Sequence, residues 1–264
     1  MCDDRAVDAP RDRDARPDDH GAVRLELARA CRVMAHRGLV DDVLGHASWR
    51  TDDEHLLVRC RGRHERGLRF TEPDDIRLVA SSGRVVDGDD GAWRAPAELA
   101  IHTEVLRARP DVRVVLHAHP RAVVVASLAG LPLLPLVGAF DIPAMRLAED
   151  GIATYPRSVL VHRPDLGREL AAALGAADAC VLVGHGLVTV GTTVAAAVLR
   201  ALAVNSLARL TLAVVRAGGT PAAIAAADRA ELPDLGTAFN EDLLWRHHLA
   251  CLDADGWGLR ADAA

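Results

Sequence analysis

The sequence predicts a fold of the α/β or α+β class built on one core. Two observations carry that reading. Short apolar runs of strand length, such as Val114-Val115-Leu116 and Cys180-Val181-Leu182-Val183, are interspersed along the chain with segments of helical periodicity, such as 23–34 and 97–107. The composition, 50% hydrophobic and 26% charged, is that of an ordinary globular protein.

In chain order, residues 1–20 hold Asp, Arg, Ala and Pro with almost no large apolar side chain. They cannot bury enough surface to offset the entropy of ordering, so a disordered tail is expected there, followed by a single domain over 21–264. Val23, Leu27, Ala30, Cys31 and Met34 recur at helical spacing, with Gly38 as the stop. Leu56 to Cys60 reads as a strand. Thr71-Glu72-Pro73-Asp74 reads as a helix N-cap, and Val85-Val86 as a short strand entering a turn. Pro96 suits a first helical position, and the helix 97–107 carries Glu98 and His102 four apart on one face. The run 114–119 is a strand, and Pro120 opens a helix over 121–128 closed by Gly130. The segment 131–163 mixes Leu, Val and Ile with Pro and Gly, as in short strands and loops. Asp165 is placed to cap a helix through Leu174, and Thr192-Thr193 to open the longest helix, 194–217. A last helix is expected near 240–252.

Charge and composition exclude several function classes. A net charge of −6 argues against nucleic acid as a partner. No Walker-type or Gly-x-Gly-x-x-Gly loop occurs, so nucleotide binding has no support. The apolar runs are all interrupted by charge, Gly or Pro, and are read as too short to span a bilayer, so no membrane partner is expected. The first residues hold no apolar signal core, and the scattered cysteines Cys2, Cys31, Cys60, Cys180 and Cys251 form no Cys-x-x-Cys pair. Both features fit a cytoplasmic protein with reduced thiols. Every basic residue is Arg, and no Lys occurs in the 264 residues. Imine chemistry through a Lys amine is therefore excluded, and an enzyme breaking carbon–carbon bonds on this chain needs another electron sink, for which a metal is suited.

Candidate ligands for such a metal are visible. Residues i and i+2 of a strand share a face, so His117 and His119 can present two imidazoles to one point. A second apolar run ends in Gly184-His185-Gly186. Two strands each ending in histidine suggest a three-His site at one edge of a sheet. Trp245, His247 and His248 on the last helix read as packing residues. Cys60 and Cys180, in apolar strands, read as inert.

Several motifs together resemble the class II aldolase/adducin-like family. They are Gly-His-Ala-Ser-Trp-Arg at 45–50, Glu98 with His102, Arg109-Pro110-Asp111-Val112 leading into His117-Ala118-His119, and His185-Gly186-Leu187. The resemblance covers roughly residues 23–216. It implies a three-layer α/β/α sandwich around a mostly antiparallel sheet, a homotetramer with sites at subunit contacts, and a divalent metal cofactor (Zn, Mn, Fe or Co). Carried over by position, it implies His117, His119 and His185 as metal ligands and Glu98 as acid/base. It also allows Trp245, His247 and His248 to reach a neighbouring subunit's site. His102 is expected to orient a neighbour or pack in the core rather than ligate.

The departures from the sugar-phosphate aldolases bear on substrate. The phosphate-binding Asn is His46 here, the Thr-Pro-Ser-Gly-like loop is Arg61-Gly62-Arg63-His64, and the two Ser before the acid are replaced by Ala95-Pro96-Ala97. A non-phosphorylated substrate is the simpler reading. Arg50, Arg61, Arg63, Tyr155 and Arg157 are then expected to bind it, since guanidinium forks suit carboxylates, with His46 as a second catalytic group. The blocks 57–62, 67–71, 74–79, 142–146, 155–158 and 245–247 are similar to a branch containing 3,4-dihydroxyphthalate decarboxylases. That similarity implies a metal-dependent lyase that decarboxylates a hydroxylated aromatic acid in aromatic-compound catabolism. Three alternatives stay open: a metal-dependent aldolase of a 2-oxo acid, a non-haem iron oxygenase of a hydroxyphenylpyruvate-type substrate, and a non-catalytic adducin-like scaffold.

Overall fold

Seven strands make one sheet: β1 (His46–Arg50), β2 (His55–Arg59), β3 (Ile76–Ala80), β4 (Val114–Ala118), β5 (Ala153–Tyr155), β6 (Ala179–Leu182) and β7 (Gly186–Gly191). The computed structural model describes residues 20–88 and 91–259; apart from His20, the tail expected at 1–20 lies outside them. The strand order is β3-β2-β1-β4-β7-β6-β5. Every pairing is antiparallel except β5 with β6.

The side-chain period of two sorts each strand onto two faces. Ala47, Leu57, Leu116, Ala118 and Leu187 point to one face. There they meet α1 (Gly21–His36), α3 (Arg121–Leu128), α6 (Val194–Arg216) and α8 (Leu244–Ala254). Leu56, Val58, Val115, Val188 and Val190 point to the other, against α2 (Leu99–Ala108) and α5 (Pro164–Leu174). The result is the expected three-layer α/β/α sandwich around a mostly antiparallel sheet. Burial on both faces explains why the central strands read as unbroken apolar runs. Two short α-helices are also present, α4 (Ile142–Ala148), packed on α6, and α7 (Ala226–Ala230), and a π-helical turn, Ala238–Leu243, leads into α8.

Several elements differ from the sequence reading. The cap at 71–74 opens a single 3-10 turn, Pro73–Asp75, with Glu72 rather than Thr71 in the capping position. The chain then enters β3, because Ile76 and Val79 gain more from pairing with β2 than from a second helical turn. Val85 makes only an isolated bridge to Val79. Arg163, not Asp165, is the N-cap of α5. Within 131–163 the chain forms α4, where the Asp141 side chain accepts from the Ala144 N–H and Pro143 sits in the first turn.

Contrary to the reading of the apolar runs, α6 is long and apolar enough to cross a bilayer by length and composition, the one such helix among the described residues. Here it packs in the core, with Ala197, Val198, Ala201, Val204 and Leu207 buried. Cys60 and Cys180 are buried, and burial pushes both thiols up to about 12, so both are un-ionised and inert at neutral pH.

Candidate active site

β4 lies at the centre of the sheet, and its last residues carry the site. His117 is fully buried on the face covered by α2 and α5. Its Nδ1 donates to the Leu187 carbonyl of β7, 3.0 Å away, because β7 pairs with β4 in the register Ala118↔Leu187. A carbonyl accepts only, so His117 carries a proton on Nδ1 and turns Nε2 toward the converging side chains. His119 follows one residue beyond the strand, and its backbone N–H donates to the Leu39 carbonyl, 3.1 Å away.

His185 sits in the tight turn between β6 and β7 rather than at a strand end, its N–H donating to the Leu182 carbonyl. The flanking glycines have separate reasons. Gly184 has φ +64°, the left-handed conformation the turn requires. A Cβ at Gly186 would lie 2.3 Å from the Ala118 carbonyl and 2.8 Å from the His119 ring. Only glycine lets β7 come close enough to bring His185 to the histidines of β4. Glu98 is the N-cap residue of α2. Its Oε1 accepts from the Val161 N–H, 2.9 Å away, in the segment that runs from β5 into α5.

These four side chains converge. The Nε2 atoms of His117 and His119 are 2.7 Å apart, and Glu98 places one oxygen 3.5 Å from His117 Nε2 and the other 3.5 Å from His185 Nε2. All four donor atoms fall within 4.8 Å of one another. Ligands about 2.1 Å from a tetrahedral ion are separated by about 3.4 Å, so the donor set fits a divalent ion. Its chemistry fits as well, with three imidazoles and one carboxylate. Burial alone would raise the Glu98 carboxyl, but the adjacent His117 and His185 reverse this and hold it below the usual carboxylate range. Burial and the neighbouring rings push His119 down to about 3, so it is neutral and free to ligate.

The other candidates divide. His46 is brought in: it pairs directly with His117 across β1 and β4, ring centroids 5.1 Å apart. Arg50 is not. It lies four residues further along β1, and its guanidinium donates to the carbonyls of Leu106 and Arg109, where it closes the end of α2. Arg61 and Arg63 are exposed, in a loop anchored by an Arg61 hydrogen bond to the Val43 carbonyl just before β1. Tyr155 is buried and donates to Glu169, 2.9 Å away, and the exposed Arg157 pairs with the same carboxylate. Both belong to the segment that continues past Gly184, through Ser158, to Glu98, through Val161.

Trp245 is buried and donates to Glu26 of α1, 3.0 Å away, so its polar edge is engaged within its own subunit. His247 and His248 line a groove with Phe140, Arg209 and Phe239 that contains none of the four converging residues. Sequence reasoning missed the Leu187 carbonyl, the Val161 N–H and the Ser48 hydroxyl. The first two are backbone groups without a residue signature. The third was legible as the position two after His46 on the same strand face.

The profile of the class II aldolase and adducin N-terminal domain matches residues 25–212, more than half of the chain. The chain belongs to the class II aldolase and adducin family. Among curated relatives, a 3,4-dihydroxyphthalate decarboxylase of Arthrobacter keyseri is 51% identical, over 90% of this chain and 97% of its own. A protein of the same name from Terrabacter sp. (strain DBF63) is 52% identical, over 88% and 97%. Among solved structures, the L-fuculose 1-phosphate aldolase from Glaciozyma antarctica PI12 superposes with a TM-score of 0.74 at 23% identity, over 96% of this chain and 97% of that one, which shows a shared fold. Class II aldolases depend on divalent metals, and in this member Glu98, His117, His119 and His185 form the cluster able to hold one.

Proposed function

We propose that this class II aldolase family member is a divalent-metal-dependent lyase that decarboxylates 3,4-dihydroxyphthalate, a hydroxylated aromatic acid without phosphate. The observation that carries the reading is the identity of 51–52% to decarboxylases of that substrate over 97% of their length. The intact cluster of Glu98 and three histidines supports it. It also weighs against a non-catalytic scaffold, which has no need of four convergent ligand atoms.

His117, His119 and His185 would hold the ion, with Zn, Mn, Fe and Co all compatible with neutral imidazoles. The ion supplies a Lewis acid that takes up negative charge from the bond being broken. The net reaction breaks one carbon–carbon bond, releases carbon dioxide and adds one proton to the ring carbon. Glu98, ionised at rest and fixed by the Val161 N–H, is the carboxylate suited to receive a substrate proton and deliver it there, with His46 beside it. Arg61 and Arg63 carry the charge suited to the second carboxylate. Tyr155 and Arg157 would reach it only by exchanging Glu169 for substrate.

The assembly belongs to the same proposal: a cytoplasmic homotetramer with sites at subunit contacts. Leu128 and Leu160 are exposed, and Leu128 lies beside Gly184 at the rim of the site, which supports a contact there. Exposed His247 remains the residue available to a neighbour's site.

The test is turnover of 3,4-dihydroxyphthalate by the purified protein, stripped with a chelator and reloaded in turn with Zn, Mn, Co or ferrous ion. One carbon dioxide per substrate, without oxygen uptake, lost on stripping and regained on reloading, is expected. Oxygen-dependent turnover would favour the oxygenase, an aldehyde product from a 2-oxo acid the aldolase, and inactivity with every ion would contradict the reading.

A further inference from the structure

A second chain of buried polar groups runs behind the converging ligands on the same face of the sheet. His102, fully buried on α2, places Nε2 2.6 Å from His46 Nδ1 and Nδ1 2.6 Å from Ser48 Oγ. The Ser48 hydroxyl in turn points toward the Val115 carbonyl, 3.5 Å away. The sheet register explains the meeting: Ser48 pairs with Val115 and His46 with His117 across β1 and β4, so all four share the face that α2 covers.

The proton positions follow from what each group can do. The Val115 carbonyl accepts only, so the Ser48 hydroxyl gives its one proton to that bond and accepts from His102, which therefore carries its proton on Nδ1. Burial holds the His102 ring down to about 3, so it is neutral and its Nε2 is bare. The 2.6 Å contact is then a hydrogen bond that His46 donates from Nδ1 to His102 Nε2. That leaves His46 Nε2 with no hydrogen-bond partner among the described residues, on a ring that packs beside His117.

We propose that His102 is a positioning residue that locks His46 as its Nδ1–H tautomer, so that His46 Nε2 accepts a hydrogen bond from a ring hydroxyl of the substrate. The inference takes its substrate from the decarboxylase reading, but the hydrogen-bond chain it rests on does not. It has a consequence for selectivity. A bare nitrogen attracts a hydroxyl and repels a carboxylate or phosphate oxygen, so His46 turns the hydroxylated edge of the ring toward itself and the carboxylates toward the arginines. A family position that handles phosphate with an Asn amide would thereby become one that rejects phosphate.

Neutron diffraction from deuterium-exchanged crystals of the wild-type protein reads the tautomers directly. Deuterium on Nδ1 of both His46 and His102, with none on either Nε2, is expected; deuterium on His46 Nε2 overturns the proposal. The functional arm compares binding of 3,4-dihydroxybenzoate and benzoate to the metal-loaded protein by calorimetry. Chelation of the ion by the two hydroxyls is common to all variants, so only the change in the affinity ratio counts. His102→Leu should lower the ratio about fivefold to tenfold, the size of one hydrogen bond, with metal content unchanged. His102→Gln should restore most of it, because its amide oxygen can accept from His46 Nδ1. An unchanged ratio in His102→Leu, or equal weakening of both ligands, contradicts the role. Should His102→Leu fail to fold, the neutron result decides alone. Should the protein fail to release carbon dioxide while the tautomers are as described, the decarboxylase reading falls and the lock stands.

Discussion

Replacing His117 with Ala is expected to remove both the bound ion and turnover. Of the proposed ligands His117 has the least freedom: it is fully buried, its Nδ1 is fixed by the Leu187 carbonyl, and its Nε2 lies within 3.5 Å of His119 Nε2 and a Glu98 oxygen. His119 and His185 alone, without it, come from a segment beyond β4 and a turn, and leave Glu98 with one imidazole partner instead of two. Lewis-acid stabilisation by a metal is worth several kcal/mol, so turnover should fall by about three powers of ten or more. Metal content, measured by elemental analysis after dialysis, should fall from one ion per chain to a small fraction. The stripped wild-type and variant proteins should melt within a few degrees of each other, since the neighbouring core of Val115, Val188 and Leu182 is untouched. A variant that keeps its activity without metal would refute the assignment.

Replacing Glu98 with Gln is the second large effect, of a different kind. The Gln amide oxygen can still accept from the Val161 N–H, so the start of α2 keeps its place and the three imidazoles still hold the ion. Only the charge and the basicity are lost. Proton transfer by a positioned side chain contributes roughly 10²–10⁴-fold, so kcat should fall by that factor while KM and metal content change little. The contrast with His117→Ala separates the two roles, because one variant loses the ion and the other keeps it. If Glu98→Gln kept full kcat, the proton would be handled elsewhere on this face, with His46 as the next candidate.

What was legible in the sequence was what depends on short-range periodicity. His117 and His119 could be placed on one face because the strand period is two, and their apolar approach, Val114 to Leu116, left little doubt of a buried strand. Gly184 and Gly186 marked His185 as unusual, although a turn between β6 and β7 rather than a strand end accounts for them. The motifs carried the fold class and the three layers, but no spacing shows a partner that arrives from far along the chain. Arg50 is the clear case: beside a site motif it reads as a carboxylate binder, yet its guanidinium serves carbonyls 56 and 59 residues away at the end of α2. Trp245 meets Glu26 across 219 residues in the same way. Element boundaries failed where tertiary pairing overrode local preference, as at β3, or where a short helix was hidden among Pro and Gly, as at α4.

The most direct test of the account is anomalous diffraction from metal-loaded crystals, recorded at the absorption edge of the bound ion. It should show one ion per chain, about 2.0–2.2 Å from Nε2 of His117, His119 and His185. Anomalous density elsewhere, or none at these three rings in crystals of fully active protein, would contradict it.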